Sequence, residues 1–576
     1  MISEFGHTPA LPGYLRYRGV GRDQLIQYAV LVVTAFLVLS PIVPILYQSL
    51  LDKPLYDSDA AFTTANFSRL LGDATFRDTL INTFVVAVSA TIIAQLIGLF
   101  AAILVSRTDL PTRSLLGSVI LWPMYISGLV LAFGFVLVYG PAGFLTQLSQ
   151  TKLGFVPWNL YSIQGISLVT GITQAPLTML YCLNAADSID ATLENAARSC
   201  GARPLRTLIH ITVPLMLPAF LYSAVLNFTL SLETLSVPLI LGEPVGIRLI
   251  STFLFEKMQT VGQPDYAIVS VAACLLLVLV ALLVLLQGVL LRNSKRFVTI
   301  SGKASRQRII SLGWVKWVAA VIVWAYLVSA ILLPIGFLVI RASVSYLSPA
   351  IPLYKALTLG NLRELFSVPV YIRAIVNTFI ISIVGGAIAT AFVTLAALVA
   401  HRSDFRYQAA LNYLAMVPRA IPGIIASLGF FYALVILPSG GLRNTIWVLV
   451  IAYTMRNIPL GFGAISPMLL QASPDLDRCA RTVGADWWTS CRFVLAGVIR
   501  PAILSCYALM FITFFKEYAT AIFLYASGSE VIGTMLLSLY GNGRVGPVAA
   551  LCCLQIAVVA TLMLVLKARM RRDVVA

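Results

Sequence analysis

Two long stretches of this chain contain no charged side chain. They run from Leu80 to Ser106 and from Tyr266 to Leu291. Each is longer than the about 20 residues that an α-helix needs to cross the hydrocarbon core of a bilayer. A bilayer offers no hydrogen-bond partner to backbone N–H and C=O groups, so apolar segments of this length fold as helices. The sequence therefore predicts an all-α membrane protein.

The composition of the whole chain agrees with this interpretation. Of the 576 residues, 59% are hydrophobic and 11% are charged, whereas a soluble domain carries about 25% charged residues. Apolar runs recur along the chain and predict about 12 transmembrane helices. The predicted spans lie near Leu25–Leu50, Leu80–Val105, Leu115–Val138, Ile163–Leu183, Leu215–Leu241, Tyr266–Leu291, Trp314–Ile340, Ala374–Ala400, Ala409–Leu437, Thr445–Phe462, Ala502–Tyr525 and Val548–Leu566.

The net charge of +17 would suit nucleic-acid binding, but the basic residues are grouped between and beyond the predicted spans. They cluster in the N-terminal tail (residues 1–24), in the segment 292–313 and after Leu566. Cytoplasmic segments of membrane proteins are enriched in Lys and Arg, so both termini and the linker 292–313 are predicted to lie in the cytoplasm. The segment Asp52–Asp78 has five acids and three bases and is predicted to lie outside. We expect a lipid bilayer and no nucleic acid around this chain.

The second half of the sequence repeats the first. Arg107 recurs as Arg402 at an offset of 295 residues, and Pro176 recurs as Pro459 at an offset of 283. Matches at a fixed offset over more than a hundred positions indicate a tandem duplication in parallel topology. The two predicted six-helix halves are residues 25–291 and 314–576.

A polar, arginine-bearing segment separates the fourth and fifth predicted spans. Its characteristic residues are Glu194, Ala196, Ala197, Gly201 and Ala202. Glu, Ala and Arg favour a short helix before Gly201, and a glycine favours a turn at the helix end. Pro214 stands where a new helix can begin. The pattern predicts a bent helical hairpin on the membrane surface.

The same pattern returns between the tenth and eleventh predicted spans, at an offset of 283 residues. Its residues are Asp477, Ala480, Gly484 and Ala485. Asp477 replaces the glutamate, and Cys479 replaces the first alanine. The second copy is therefore a weaker version of the first.

These paired segments resemble the EAA loops of type I ABC importer permeases. One copy alone is also compatible with an ordinary amphipathic loop helix, and the second copy favours the resemblance. The resemblance implies two tandem six-helix halves whose EAA loops each dock onto a cytoplasmic ATPase. It also implies two copies of that ATPase, a periplasmic substrate-binding protein as a further partner, and a location in the bacterial inner membrane.

The sequence indicates no nucleotide site, metal site or catalytic triad. The phosphate-binding pattern G-x-x-x-x-G-K-[S/T] does not occur, so ATP is expected to be hydrolysed by the separate ATPase subunit. The three histidines, His7, His210 and His401, fall in the predicted tail or loops, and the eight cysteines form no C-x-x-C pair. We therefore expect a permease without enzymatic activity, bound metal or cofactor.

Two acidic residues fall within apolar spans, Glu233 in the fifth and Glu517 beside Lys516 in the eleventh. Such a charge costs about 2.5–3.5 kcal/mol on insertion scales and usually faces a cavity or a partner. In the family that the chain resembles, helices 5 and 11 contribute to the translocation path, so Glu233 and Glu517 are predicted to line it. A structural ion pair, or side chains that reach the outer interface, are the alternatives.

The predicted substrate comes from the resemblance. Permeases with both halves fused in one chain of this length are similar to ferric-iron importers, and a pair of carboxylates suits a hard cation. Similar fused chains are associated with 2-aminoethylphosphonate and thiamine. A secondary transporter with two six-helix halves is the alternative from another class, although its Gly- and Arg-rich loop has no counterpart here, since residues 106–113 contain no glycine.

Overall fold

The computed structural model describes residues 21–259, 264–292, 309–349, 352–436 and 441–575. Most of the predicted tail (residues 1–24) and of the predicted linker (residues 292–313) lies outside the described residues. Within those ranges the secondary structure is helical, and β-type pairing is limited to three isolated bridges.

The first half contains six main helices with shorter helices between them. The main helices are α1 (Arg22–Ser49), α2 (Ala74–Arg107), α3 (Gly128–Tyr139), α4 (Ile163–Ser188), α5 (Pro204–Glu233) and α6 (Tyr266–Arg292). The shorter helices are Ala65–Gly72, Arg113–Ile120, Trp122–Tyr125, Phe144–Leu153, Ala191–Ser199, Ser236–Leu241 and Ile250–Gln259.

The second half repeats this arrangement. Its main helices are α7 (Val315–Ala342), α8 (Pro369–Arg402), α9 (Gly423–Ile436), α10 (Ile446–Gln471), α11 (Arg500–Lys516) and α12 (Val545–Val575). The shorter helices include Leu353–Ala356, Gly360–Leu365, Gln408–Ala420, Asp475–Thr482, Trp487–Val498 and Ile532–Gly541. In the described ranges, 10 helices are long and apolar enough to cross a membrane, and up to 12 if each of two bent pairs counts as one span. The predicted all-α membrane fold is confirmed.

The predicted span Ala409–Leu437 is interrupted in the structure. It forms two helices, Gln408–Ala420 and Gly423–Ile436, whose axes are bent by 109°. Pro422 accounts for the break, because proline has no N–H to donate and moves the preceding residue out of the helical region. Ile421 accordingly has an extended backbone, with φ −106° and ψ 105°. The first half breaks at the equivalent place, residues 126–127, just before α3.

The predicted helix start at Pro214 is wrong. Helix α5 begins at Pro204 and continues through a π-turn, Leu208–Thr212, into Val213–Glu233. In a regular helix the ring of Pro214 would press against the carbonyl group of His210. The π-turn is wider than a regular turn and lies directly before the proline, so the helix continues past it.

Helices α5 and α11 also end earlier than predicted. Helix α5 ends at Glu233 rather than near Leu241, and Thr234 is extended, with φ −61° and ψ 131°. Helix α11 ends at Lys516 rather than near Tyr525, and Glu517 is extended, with φ −71° and ψ 136°. Both acidic residues therefore lie where a helix stops inside the protein.

Each half places its first helix against the other half. Helix α1 packs on α9, and α7 packs on α3. Glycines make both approaches close: a Cβ on Gly134 would stand 2.8 Å from the carbonyl oxygen of Pro334, and a Cβ on Gly429 would overlap the carbonyl group of Pro41. The two halves thus hold each other through matching contacts.

Candidate functional site

A cavity of about 190 Å³ lies between the two halves. Its wall includes the end of α5 from the first half, with Glu233, and the end of α11 from the second half, with Lys516 and Glu517. Arg456, near the middle of α10, also lines it. The cavity lies where both helices stop, because the extended backbones of Thr234 and Glu517 end α5 and α11 at this level.

Arg456 stands between the two acidic residues. Its Nη2 atom lies 3.6 Å from Oε1 of Glu233, and its Nε atom lies 3.8 Å from Oε2 of Glu517. The other oxygen of Glu517 accepts hydrogen bonds of 3.1 Å from the backbone N–H and the hydroxyl group of Thr520. The three charged side chains are 14–23% exposed. The guanidinium group of Arg456 therefore forms an ion pair with one carboxylate from each half.

Two further features shape this cluster. Gly423 leaves room for the guanidinium group, since a Cβ there would stand 2.6 Å from Nη1 of Arg456. Lys516 donates a hydrogen bond of 2.6 Å to the backbone carbonyl group of Met124 in the other half. Arg456 and Lys516 therefore both connect the second half to the first.

For Glu233 and Glu517, the predicted position on the translocation path and the alternative of a structural ion pair are compatible in this geometry. Both carboxylates line the cavity, and both lie close to Arg456. Their role in translocation stays a prediction. Sequence reasoning missed Arg456, although a lone arginine within the predicted span Thr445–Phe462 is a signal of the same kind.

The first loop, residues 189–203, joins α4 to α5 at one end of the molecule. Its helix Ala191–Ser199 begins at Asp190, whose carboxylate accepts a hydrogen bond of 2.9 Å from the N–H of Thr192. It ends at Gly201, which has φ +84°. The N–H groups of Ala202 and Gly201 donate to the carbonyl groups of Ala197 and Arg198. This pair of bonds is a Schellman motif, which needs a residue in the left-handed region and therefore favours glycine.

Glu194 points into the protein rather than away from it. It is 6% exposed, and its Oε1 atom lies 3.4 Å from Nη1 of Arg107 at the end of α2. The hydroxyl group of Thr212 donates a hydrogen bond of 2.9 Å to the same oxygen. Arg107 also donates a hydrogen bond of 2.6 Å to the carbonyl group of Ala186. Glu194 thus attaches the loop helix to the end of α2 and to α5, and Arg107 extends the attachment to the end of α4.

The second loop, residues 472–495, has the same arrangement. Gly484 has φ +87°, and its turn is closed by the same two backbone hydrogen bonds. Asp477 lies 3.2 Å from Nη1 of Arg402, the residue equivalent to Arg107. Arg402 also donates to the carbonyl groups of Leu469 and Ala472, and Ser490 donates a hydrogen bond of 3.3 Å to Asp477.

The small residues of the two loops are divided between the surface and the interior. Ala196, Gly201 and Gly484 are exposed, Ala197, Ala202 and Ala485 are half-buried, and Ala480 is buried. Each loop therefore presents an exposed turn without a large side chain at its glycine, and a carboxylate holds that turn from inside.

The sequence matches a known protein family twice. The family described as "Binding-protein-dependent transport system inner membrane component" matches residues 79–296 and again residues 392–574. This chain belongs to that family. It is a permease of a binding-protein-dependent ABC importer, with two permease domains in tandem, and it is a membrane component rather than an enzyme. The family implies an ATPase and a substrate-binding protein as partners.

Two of the similar proteins match both halves of the permease. This chain is 25% identical over 518 residues to the ferric transport system permease protein FbpB of Actinobacillus pleuropneumoniae, covering 88% of this chain and 73% of the relative. It is 26% identical over 486 residues to a putative ferric transport system permease protein of Haemophilus influenzae, covering 83% and 74%. A putative 2-aminoethylphosphonate transport system permease protein of Salmonella typhi is 25% identical over 233 residues, which is 40% of this permease and 80% of the relative.

These comparisons confirm the predicted family and exclude the predicted alternative of a secondary transporter. In the described part of the permease, no group of three or more His, Cys, Asp or Glu side chains is placed to hold a metal ion. Two carboxylates, those of Glu233 and Glu517, line the cavity between the halves, and the guanidinium group of Arg456 lies between them.

Proposed function

We propose that this permease imports ferric iron that a periplasmic binding protein delivers to its outer face. The observation that carries the proposal is the meeting of Glu233 and Glu517, one from each half, across a cavity between the halves. Carboxylate oxygens suit a hard cation. The similarity to ferric transport permeases over 88% and 83% of the chain supports iron as that cation.

In this proposal Glu233 and Glu517 line the translocation path. In the structure, Arg456 lies 3.6 Å and 3.8 Å from their carboxylate oxygens, where it neutralises part of their charge. A cation that enters the cavity competes with Arg456 for the two carboxylates. The contacts of Arg456 and Lys516 to the first half keep the two halves together at this level when no substrate is present.

The two loops transmit ATP-driven movement to the membrane helices. Their exposed turns at Gly201 and Gly484 dock onto two copies of a cytoplasmic ATPase, while Glu194 and Asp477 hold the loops from inside. This function places both loops and both termini in the cytoplasm of a bacterium, with the permease in its inner membrane. Residues 25–291 and 314–576 then act as the two permease halves, with residues 292–313 as the cytoplasmic linker.

The substrate is tested by uptake of labelled ferric iron in iron-limited cells with and without this gene. We expect uptake to fall when the gene is removed and to return when the intact gene is restored. Unchanged uptake would remove iron as the substrate. Removal of the partner ATPase gene should stop the same uptake.

The path is tested by replacing Glu233 with Gln in the complex with its ATPase. We expect uptake to fall about tenfold or more while assembly with the ATPase is unchanged, since the substitution removes one charge and little volume. Glu243→Gln is a suitable control, because Glu243 is exposed beyond the end of α5. Equal uptake by Glu233→Gln and the parent would contradict the proposed path.

A second candidate substrate is 2-aminoethylphosphonate. Arg456 and Lys516 in the cavity wall suit a phosphonate group, because guanidinium and ammonium groups both bind such anions. A relative named for this compound matches 40% of the chain. Uptake of labelled 2-aminoethylphosphonate is therefore the next measurement if iron uptake does not depend on the gene.

A further inference from the structure

Asp109 and Asp404 occupy equivalent positions, two residues after the arginines that hold the two loops, but they have different partners. In the second half, Asp404 forms an ion pair of 2.8 Å with Arg481 on the loop helix Asp475–Thr482. The indole N–H of Trp487 donates a hydrogen bond of 2.8 Å to the carbonyl group of Arg402. The end of α8 is thus attached directly to the second loop.

In the first half, the equivalent carbonyl group of Arg107 and the equivalent carboxylate of Asp109 are bound instead by a segment that lies between the two halves in the sequence. We call residues 309–312 the strap; Gly313 and Trp314 connect it to α7. The N–H of Ile310 donates a hydrogen bond of 2.8 Å to the carbonyl group of Arg107. Asp109 accepts hydrogen bonds of 2.8 Å from the N–H of Leu312 and 3.3 Å from the hydroxyl group of Ser311.

The charge on Asp109 is stabilised where it stands. The N–H of Leu312 is the main cause that lowers the pKa of Asp109, and Lys316 in the first turn of α7 lowers it further. The ammonium group of Lys316 lies 3.8 Å from the carboxylate. The strap and the start of α7 therefore hold Asp109 with one charge and two hydrogen bonds.

Arg198, the residue equivalent to Arg481, is left in a different situation. Its Nε atom is buried and has no hydrogen-bond partner among the described residues. A buried donor without a hydrogen-bond partner is unfavourable, because it has lost its contact with water. In the second half, Asp404 pairs with Arg481. The equivalent partner for Arg198 would be Asp109, but Asp109 is already bound by the strap.

We propose that the strap can detach from Arg107 and Asp109 when the first loop moves. Its release lets Asp109 pair with Arg198, as Asp404 pairs with Arg481. This inference rests on the proposed docking of the first loop onto the ATPase. The strap continues into α7, which packs on α3, and the hydroxyl group of Tyr139 in α3 donates to the carbonyl group of Ser329. Movement of the first loop would therefore reach the contact between the halves.

Locking the strap tests whether it has to move. Thr108 and Ile310 form a parallel β-bridge, so Thr108→Cys together with Ile310→Cys places two thiols side by side. The pair is built in a background in which the exposed Cys200 and Cys479 are replaced by Ser. The complex with its ATPase is reconstituted in lipid nanodiscs, and ATP hydrolysis is measured before and after reduction.

We expect the oxidised double variant to hydrolyse ATP at least about tenfold more slowly than the reduced form, with each single variant indifferent to the redox state. Equal rates in the two states would overturn the proposal, and so would failure of the two thiols to cross-link. Because ATP hydrolysis is measured, the result does not depend on which substrate is imported.

The exchange of partners is tested with Leu312→Pro, which removes the N–H group that donates a hydrogen bond to Asp109. We expect Arg198→Ala to reduce ATP hydrolysis at least about threefold more in this background than in the parent. Arg481→Ala is the matched control and should have the same effect in both backgrounds. An equal effect of Arg198→Ala in the two backgrounds would contradict the exchange. If instead Glu194→Ala leaves ATP hydrolysis unchanged, the proposed docking of the first loop fails, which is a separate outcome.

Discussion

In the first loop, the attachment to the membrane helices is concentrated in one buried ion pair, whereas in the second loop it is spread over several more exposed contacts. The side chains of Arg107 and Glu194 are 1% and 8% exposed, whereas those of Arg402 and Asp477 are 7% and 16% exposed. The second loop adds the ion pair of Arg481 with Asp404, and the N–H of Trp487 donates a hydrogen bond of 3.0 Å to Asp23 at the start of α1.

The comparison shows that two copies of one motif keep the same backbone turn with different attachments. Asp477 has a shorter side chain than Glu194, and the second loop compensates with contacts that the first loop does not make. A buried pair makes the first loop sensitive to single changes, since an uncompensated buried charge is unfavourable. Distributed contacts make the second loop more tolerant of them.

The largest expected difference comes from removing the two arginines. Arg107→Ala leaves the buried Glu194 without its counter-charge, which costs about 3–5 kcal/mol for a buried pair. Arg402→Ala should cost less, because Asp477 reaches solvent. Thermal unfolding of the purified permease and co-purification of its ATPase measure both effects. Equal losses from the two substitutions would contradict the comparison.

A smaller difference is expected from the two hydroxyl groups. Thr212 is 1% exposed and donates a hydrogen bond of 2.9 Å to Glu194, so Thr212→Val should cost about 1.5–3 kcal/mol, the range for a hydrogen bond to a charged group. The hydrogen bond of Ser490 to Asp477 is longer, at 3.3 Å, and Ser490→Ala should cost less. Chemical unfolding of both variants gives the two values, and a larger loss for Ser490→Ala would break the pattern.

The two turns should respond alike to a change of backbone preference. Gly201 and Gly484 have φ of +84° and +87°, and a Cβ at either meets no atom within 4 Å. Val at either position should therefore cost about 1–2 kcal/mol through backbone strain alone, whereas Asn, which tolerates this region, should cost less. We expect ATP-coupled transport to fall more for Gly201→Val, because the first motif is complete. Normal transport and ATP hydrolysis by both Val variants would contradict the assignment of the loops.

The smallest effect is expected at the contact that only the second loop makes. Arg481→Ala removes a partly exposed ion pair, and such pairs contribute about 0.2–1 kcal/mol, less at high salt. The substitution should lower stability slightly at low ionic strength and almost not at all in 1 M salt. A large, salt-independent loss would show that Arg481 has a further role.

Much of the fold could be predicted from the sequence, because long apolar segments leave a membrane chain few choices. The positions of the spans and the turns at Gly201 and Gly484 follow from local chemistry. The early ends of α5 and α11 could not be predicted, because the residues beyond Glu233 and Lys516 remain apolar and the helices stop for tertiary reasons. Only the packing of both halves shows that the chain leaves the helix at Thr234 and at Glu517, beside the cavity.

The candidate site divides in the same way. Glu233 and Glu517 were recognisable as charges in apolar spans, and Arg456 carried the same signal. Their meeting was not predictable, since they come from three helices and no local pattern relates them. The pairing of Arg107 with Glu194 was within closer reach: both residues belong to the repeated pattern, and their equivalents, Arg402 and Asp477, pair in the same way.

The crossed packing of α1 on α9 and of α7 on α3 has a consequence for how the protein is made. A ribosome adds about 5–20 residues each second, so α1 enters the membrane roughly 20–80 s before α9 has been synthesised. During that time α1 has lipid where its later partner will lie. Because both helices belong to one chain, the encounter is intramolecular and does not depend on how many copies the cell produces. Joining the halves turns subunit assembly into a late step of folding.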